Sequence, residues 1–166
     1  MQRTQTQNPA PATAATVETE IRRVLDEVHR YAQFRLGQAE DAEDATMETW
    51  EALRARPAPF LASDDQRRYA IGVCRRKVAD VLRKRRWSIF RRELSEDLRQ
   101  EHDSRISVAA ALRQLSDDQR EVLALKYFHE FSAQEIAELM GRTPAAVNSL
   151  LQRARDAFAR IYEEPK

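Results

Sequence analysis

The stretch SAQEIAELMGRTPAAVNSLLQRARDAF, residues 132–158, decides the fold. Ser132 followed three residues later by Glu135 is the pattern of a capping box, in which side chain and backbone N–H satisfy each other at a helix start. Ile136, Ala137, Leu139 and Met140 then supply the apolar side of a short helix. Gly141 ends it, Thr143 caps the next helix, and Pro144 takes that helix's first position, where a missing N–H costs little. Val147, Leu150, Leu151, Ala154 and Phe158 follow at helical spacing. Two helices joined by so short a glycine-containing turn form a helix-turn-helix unit.

Upstream, Ser116 fits another N-cap, with Asp117 and Asp118 suited to the positive end of a helix, and Val122, Leu123 and Leu125 follow as core. Val108, Ala111, Leu112 and Leu115 mark one more short helix. Residues 108–162 thus read as one small helical domain, with 163–166 as a C-terminal tail. Dense mixed charge without amphipathic period marks 88–107 as a flexible linker, whose least periodic stretch could span on the order of 60 Å if extended.

Residues 17–87 form a second helical domain. Ile21, Val24, Leu25, Val28, Ala32 and Leu36 trace a first helix, with Gly37 as its C-cap. A second, from about Asp41 to Leu53, gathers Ala42, Ala45, Thr46, Thr49, Trp50 and Leu53 on one side until Pro57 and Pro59 stop it. After a loop over 57–65, a third helix starts near Ser63, runs to about Trp87 and turns Tyr69, Val73, Cys74, Val78, Val81 and Leu82 inward. Thr, Gln, Ala and Pro without periodicity make 1–16 a disordered tail. The expectation is an all-α chain of two small helical domains on a pliable tether.

Composition narrows the function. The 166 residues, 33% charged and with only three glycines, leave no room for a large enzyme with a deep central sheet. No apolar run approaches the ~18 residues of a membrane span and the N-terminus lacks a hydrophobic signal core, so a cytoplasmic chain without membrane insertion is expected. One cysteine and three scattered histidines supply neither a disulfide nor a ligand-spaced metal cluster; Cys74, His129 and Trp87 read as structural. Without a phosphate loop, nucleophile elbow or HExxH pattern, no cofactor, catalytic residue or small-molecule substrate is implied, and the balance tilts to binding.

Net charge is only +1, yet the charge is blocked. Arg67 to Arg92 holds eleven bases against Asp80 alone, a local +10, while Glu40 to Arg56 holds six acids and two bases. Clustered Lys and Arg neutralise phosphates, which supplies most sequence-independent affinity for nucleic acid.

Residues 112–158, LRQLSDDQREVLALKYFHEFSAQEIAELMGRTPAAVNSLLQRARDAF, resemble region 4 of bacterial sigma-70-type sigma factors. Residues 41–50, DAEDATMETW, resemble region 2.2, and residues 69–86, YAIGVCRRKVADVLRKRR, resemble regions 2.3 and 2.4. The order is right and the space between them is short, a layout similar to the extracytoplasmic-function (ECF) group. The resemblance implies a non-enzymatic subunit that binds core RNA polymerase and directs it to promoter DNA, with an anti-sigma factor as a further partner. It carries polymerase binding onto Asp41, Asp44, Met47, Glu48 and Trp50, with Met47 standing where glutamine is common. It carries minus-10 contacts onto Arg75, Arg76, Lys77, Asp80, Arg83, Lys84 and Arg86, and the capture of an unstacked base onto the segment Phe60 to Arg68. Asn148, Ser149, Gln152 and Arg153 would enter the major groove at the minus-35 element, with Arg142, Thr143 and Arg155 nearer the phosphates. The alternative reading is a self-standing helix-turn-helix regulator that binds an operator without polymerase.

Overall fold

The computed structural model describes the backbone of residues 14–93 and 108–163, and their side chains except at 86–93, 109 and 163. Every described element is helical. α1 (Ala14–Leu36) and α2 (Ala39–Ala55) form a hairpin around Gly37, whose φ of +71° is the left-handed value that glycine adopts without strain. α1 starts three residues before the expected boundary because Val17 is already buried and holds the first turn. The expected tail is therefore corrected at residues 14–16, and its remainder, 1–13, lies outside the described residues.

Two further boundaries differ from expectation. The segment after Arg56, expected to be a loop, opens with α3 (Pro57–Leu61): Pro57 stops α2 but begins a new turn, and Phe60 anchors that turn by complete burial. α4 (Gln66–Glu93) begins after Asp65 rather than near Ser63. The Asp65 Oδ1 accepts from the Arg68 N–H at 2.9 Å, while the Ser63 hydroxyl donates to the Asp65 carbonyl. α4 also continues past Trp87 to Glu93, since no Gly or Pro follows Gly72 in it and its Arg, Lys and Leu are good helix formers. The expected linker loses residues 88–93; the expectations for 94–107 and 164–166, and for the Trp87 and Arg86 side chains, lie outside what is described.

α1, α2 and α4 pack as a three-helix unit around Ile21, Val28, Tyr31, Leu53, Ile71 and Val78. Cys74 belongs to this core, as expected, and burial pushes its thiol up to about 11.

The second unit comprises α5 (Val108–Gln114), α6 (Asp117–Leu123), α7 (Ala133–Met140) and α8 (Pro144–Glu163). Ser116 caps α6 with Gln119 completing a reciprocal box. Ser132 and Glu135 do the same for α7, the Glu135 carboxylate accepting from the Ser132 N–H at 2.8 Å. Gly141 closes α7 at φ +64°, and the Thr143 hydroxyl accepts from the Ala146 N–H to start α8. The helix-turn-helix is thus built by local signals. Between α6 and α7 lies a π-helical turn, Ala124–Phe128, which has no sequence signature and turns Tyr127 and Phe128 outward.

The two units pack together. Phe34 on α1 meets Phe128 at 4.6 Å between ring centroids. Gly72, inside α4, lies so close to α7 that a Cβ there would stand 3.2 Å from the Leu139 Cδ2.

Two outcomes follow from this packing. Ser132→Ala should lower stability by about 1 kcal/mol, read from denaturant midpoints, because it removes a cap in the reciprocal box. Cys74 should resist alkylation in the native chain at mildly alkaline pH and react at once in denaturant, as followed by mass spectrometry.

Candidate nucleic-acid interface

α8 presents a continuous polar surface. Val147, Leu150, Leu151 and Ala154 are buried against α6 and α7, which leaves Asn148, Ser149, Gln152, Arg153 and Arg155 on the exposed side. Leu150 is core. Neighbours tether the polar chains lightly: the Gln152 amide donates to Asp156 at 2.8 Å and Arg155 donates to the Gln152 side-chain oxygen. Arg142 and Thr143 flank the start of the helix, the former paired with Asp118, the latter serving as its cap. A helix with exposed amide and guanidinium groups over its first turns can offer them to base edges in a major groove.

α4 divides its basic residues between two directions. Arg76, Asp80 and Arg83 follow at four- and three-residue steps on one exposed face, where Arg83 and Asp80 pair at 2.7 Å, and Lys84 is exposed nearby. Lys77 turns to α2 and pairs with Glu48 at 3.2 Å. Arg75 turns the other way, into the second unit, where its Nε donates to Glu121 at 2.5 Å. The structure therefore brings Arg76, Arg83 and Lys84 together and separates Arg75 from them.

α2 carries the acidic block on its outer side. Asp44, Met47 and Glu48 are exposed, Trp50 is half-buried beneath the Arg54 guanidinium at 4.9 Å, and Asp41 pairs with Arg85. Arg85 also donates to the Leu36 carbonyl at 2.8 Å, so it ties the end of α1 to α2.

Tyr31, Arg35, Glu121 and His129, which sequence reasoning left without a binding role, gather between the units with Arg67, Arg68 and Arg75. Glu121 is buried; one carboxylate oxygen accepts from the Tyr31 hydroxyl at 3.0 Å and from Arg75, and the other lies 3.4 Å from Arg35. Burial and the neighbouring Glu121 push the Tyr31 hydroxyl well above its ordinary range. His129 is buried with Nδ1 3.0 Å from the Glu27 carboxylate, while its Nε2 has no hydrogen-bond partner. Arg67 donates to the His129 carbonyl at 3.0 Å and lies over the Phe131 ring, and Arg68 approaches Glu135 and Glu138 at 3.5 and 3.3 Å. The only sequence hint was a charged Glu121 beside the apolar run Val122, Leu123 and Leu125.

Comparisons with known proteins agree with this division. A family model described as "Sigma-70 region 2" matches residues 21–88, and one described as "Sigma-70, region 4" matches residues 105–158. The chain is similar to the ECF RNA polymerase sigma factor BldN of Streptomyces coelicolor, with 30% identity over 154 residues, 84% of this chain and 57% of the relative. It is also similar to the ECF RNA polymerase sigma factor SigG of Mycobacterium tuberculosis, with 47% identity over 57 residues, 34% of this chain and 15% of the relative. The chain thus spans little more than half the length of the first of these relatives. In fold it is similar to the sigma factor RpoE solved with the anti-sigma factor NepR from Bartonella quintana, at a TM-score of 0.72 and 20% identity over 90% of this chain and 98% of the other.

The buried histidine makes a pH dependence. Burial lowers its pKa from the ordinary 6.5, although the Glu27 carboxylate opposes the shift and Arg67 and Arg30 reinforce it. Below 6.5 the unfolded chain therefore takes up a proton that the folded chain refuses, so stability drops as pH falls from 6.5 toward the lowered value. Thermal melts from about pH 7.5 to about pH 5.5 should show this loss, and His129→Gln should flatten it.

Proposed function

The chain belongs to the sigma-70 family, in its ECF group, and we propose that it binds core RNA polymerase and directs it to promoters through two DNA-reading surfaces. The family is not an enzymatic one. The single observation that carries the reading is the α8 face: an independently capped helix-turn-helix with Asn148, Ser149, Gln152 and Arg153 exposed together on the recognition helix, in the same chain as an arginine-rich α4.

In this reading Asn148 and Gln152 read base edges at the minus-35 element, where a bidentate amide pairs with adenine, while Arg142, Thr143 and Arg155 hold phosphates. Arg76, Arg83 and Lys84 neutralise the minus-10 strand, with Asp80 orienting Arg83. Arg75, Lys77 and Arg86 complete that basic surface when α4 is free to meet DNA. Asp44, Met47 and Glu48, on the outer side of α2 with Asp41 and Trp50 beside them, form the polymerase-binding surface. A regulator of the anti-sigma kind would act by covering these same surfaces. No described helix is long and apolar enough to cross a membrane, and we place the work in the cytoplasm beside polymerase. We propose the unit boundaries as 17–87 and 108–162, with the first helix extended back to Ala14 and α4 forward to Glu93.

A self-standing operator-binding regulator would need only the second unit, and leaves the matched first unit unexplained.

The decisive experiment is reconstitution: core polymerase with this chain should co-migrate in gel filtration at micromolar levels and initiate at promoters that core alone ignores. Initiation at the same level by core alone overturns the reading. Gln152→Ala should cost roughly 1–3 kcal/mol of discrimination at one base pair of the minus-35 element, read by competition binding of the holoenzyme. Arg83→Ala should instead weaken binding to all sequences alike and reduce the salt slope by about one ion.

A further inference from the structure

Where the turn that ends α1 meets α5 and α6 there is a cavity of about 540 Å³, and three of the side chains that line it are arginines, Arg35, Arg113 and Arg120. We propose that this cavity binds a nucleoside di- or triphosphate, with the arginines receiving the phosphates and Gln33 and Phe34 receiving the nucleoside. None of these residues has a role in polymerase or promoter binding above, so the two readings stand or fall separately.

Size and walls suit such a ligand. Small-molecule sites run to several hundred cubic ångströms and combine apolar surface with a few converging polar groups. Phe34 and Leu112 supply apolar wall here, and the Gln33 and Gln38 amides can both donate and accept, as the edge of a base requires. Guanidiniums are planar and permanently charged, and three of them match the many oxygens of adjacent phosphates.

The charge is one-sided. Among the described residues no carboxylate lines the cavity. Glu121 answers Arg35 and Arg75 together and Asp117 acts on Arg120, so with Arg113 four guanidiniums meet two carboxylates. Burial pushes the Arg120 pKa down; Asp117 opposes the shift, and the Arg35 and Arg113 charges reinforce it. The carbonyls that end α1 and α5 do not repel an anion unopposed, because Arg85 donates to that of Leu36 and Arg120 to those of Leu112 and Arg113.

Arg35 gives an independent sign. It is only 4% exposed, and its Nη1 donates to the Asp117 carbonyl at 3.0 Å, yet its Nε is buried with no hydrogen-bond partner. A buried donor without an acceptor is costly, and a phosphate oxygen entering beside Arg35 relieves that cost. Arg113 is exposed and Arg120 half-buried, so the three arginines lead from the surface inward.

The test titrates the full chain, without polymerase or Mg²⁺, with ADP and GDP by calorimetry, using adenosine, guanosine and inorganic pyrophosphate as comparison probes. At least one diphosphate should bind at one site per chain with a Kd below about 100 μM. The matching nucleoside and pyrophosphate should each bind at least about tenfold more weakly, since each keeps only part of the contacts. Arg113→Ala, at an exposed position, should weaken the nucleotide about tenfold through the loss of a charge-assisted hydrogen bond. Arg23→Ala, on the exposed side of α1, removes the same charge elsewhere and should bind as wild type does. The azido form of the tighter nucleotide should crosslink within 33–38 or 112–120. A Kd above that bound for both diphosphates, pyrophosphate binding as tight as the nucleotide, or crosslinks confined to the basic stretch 76–84 overturns the site. If Arg113→Ala loses its cooperative melt, Gln33→Ala, another exposed position, decides by the same titration.

Discussion

A carboxylate taken out of water must find its charge partners, and Glu121 finds them only across the interface between the two helical units. That requirement ties α6 to α1 through Arg35 and Tyr31 and to α4 through Arg75. Such a buried pair contributes less to stability than its Coulomb attraction suggests, because desolvation offsets most of the gain. Its strength is geometric: one arrangement satisfies the carboxylate and most others strand it. The His129–Glu27 pair and the Leu139–Gly72 approach fit only that arrangement as well.

Within each unit the physics is more local. The second unit is assembled from reciprocal caps at Ser116 and Ser132, a left-handed glycine at Gly141 and a proline that starts α8, so its recognition helix is placed by interactions a few residues apart. The first unit relies on apolar stripes of α1, α2 and α4 meeting around Tyr31, Leu53 and Ile71. α4 then serves both purposes, with one side in that core and the others loaded with bases. Its charge is consequently shared out: Lys77 and Arg85 to the acidic α2, Arg75 to Glu121, and Arg76, Arg83 and Lys84 to solvent.

This sharing bears on how a small chain handles a large polyanion. A +10 segment left bare would bind nucleic acid wherever it met it. Here the acidic block and the second unit supply internal counter-charges, and the net charge of +1 reflects that balance. Promoter engagement in the proposed role is an exchange of partners for Arg75, Lys77 and Arg83.

How much was legible in the sequence follows from the range of each interaction. Helix periodicity, the Ser132–Glu135 box, the Gly37 and Gly141 turns and the exposed polar face of α8 are all set within one or two turns of chain, and they stand in the structure where the pattern put them. The short α3, the π-helical turn and the continuation of α4 to Glu93 were not legible, because a proline reads as a stop as readily as a start, and weak periodicity does not exclude a helix. The partners of Glu121, His129 and Arg75 were beyond sequence reasoning altogether. Tyr31 and Glu121 lie 90 residues apart, and Glu27 and His129 lie 102 apart. By itself the sequence determined the helices, their caps and the chemistry each face offers; only the tertiary structure decided which charges face each other, because burial of a charge depends on what the rest of the chain places around it.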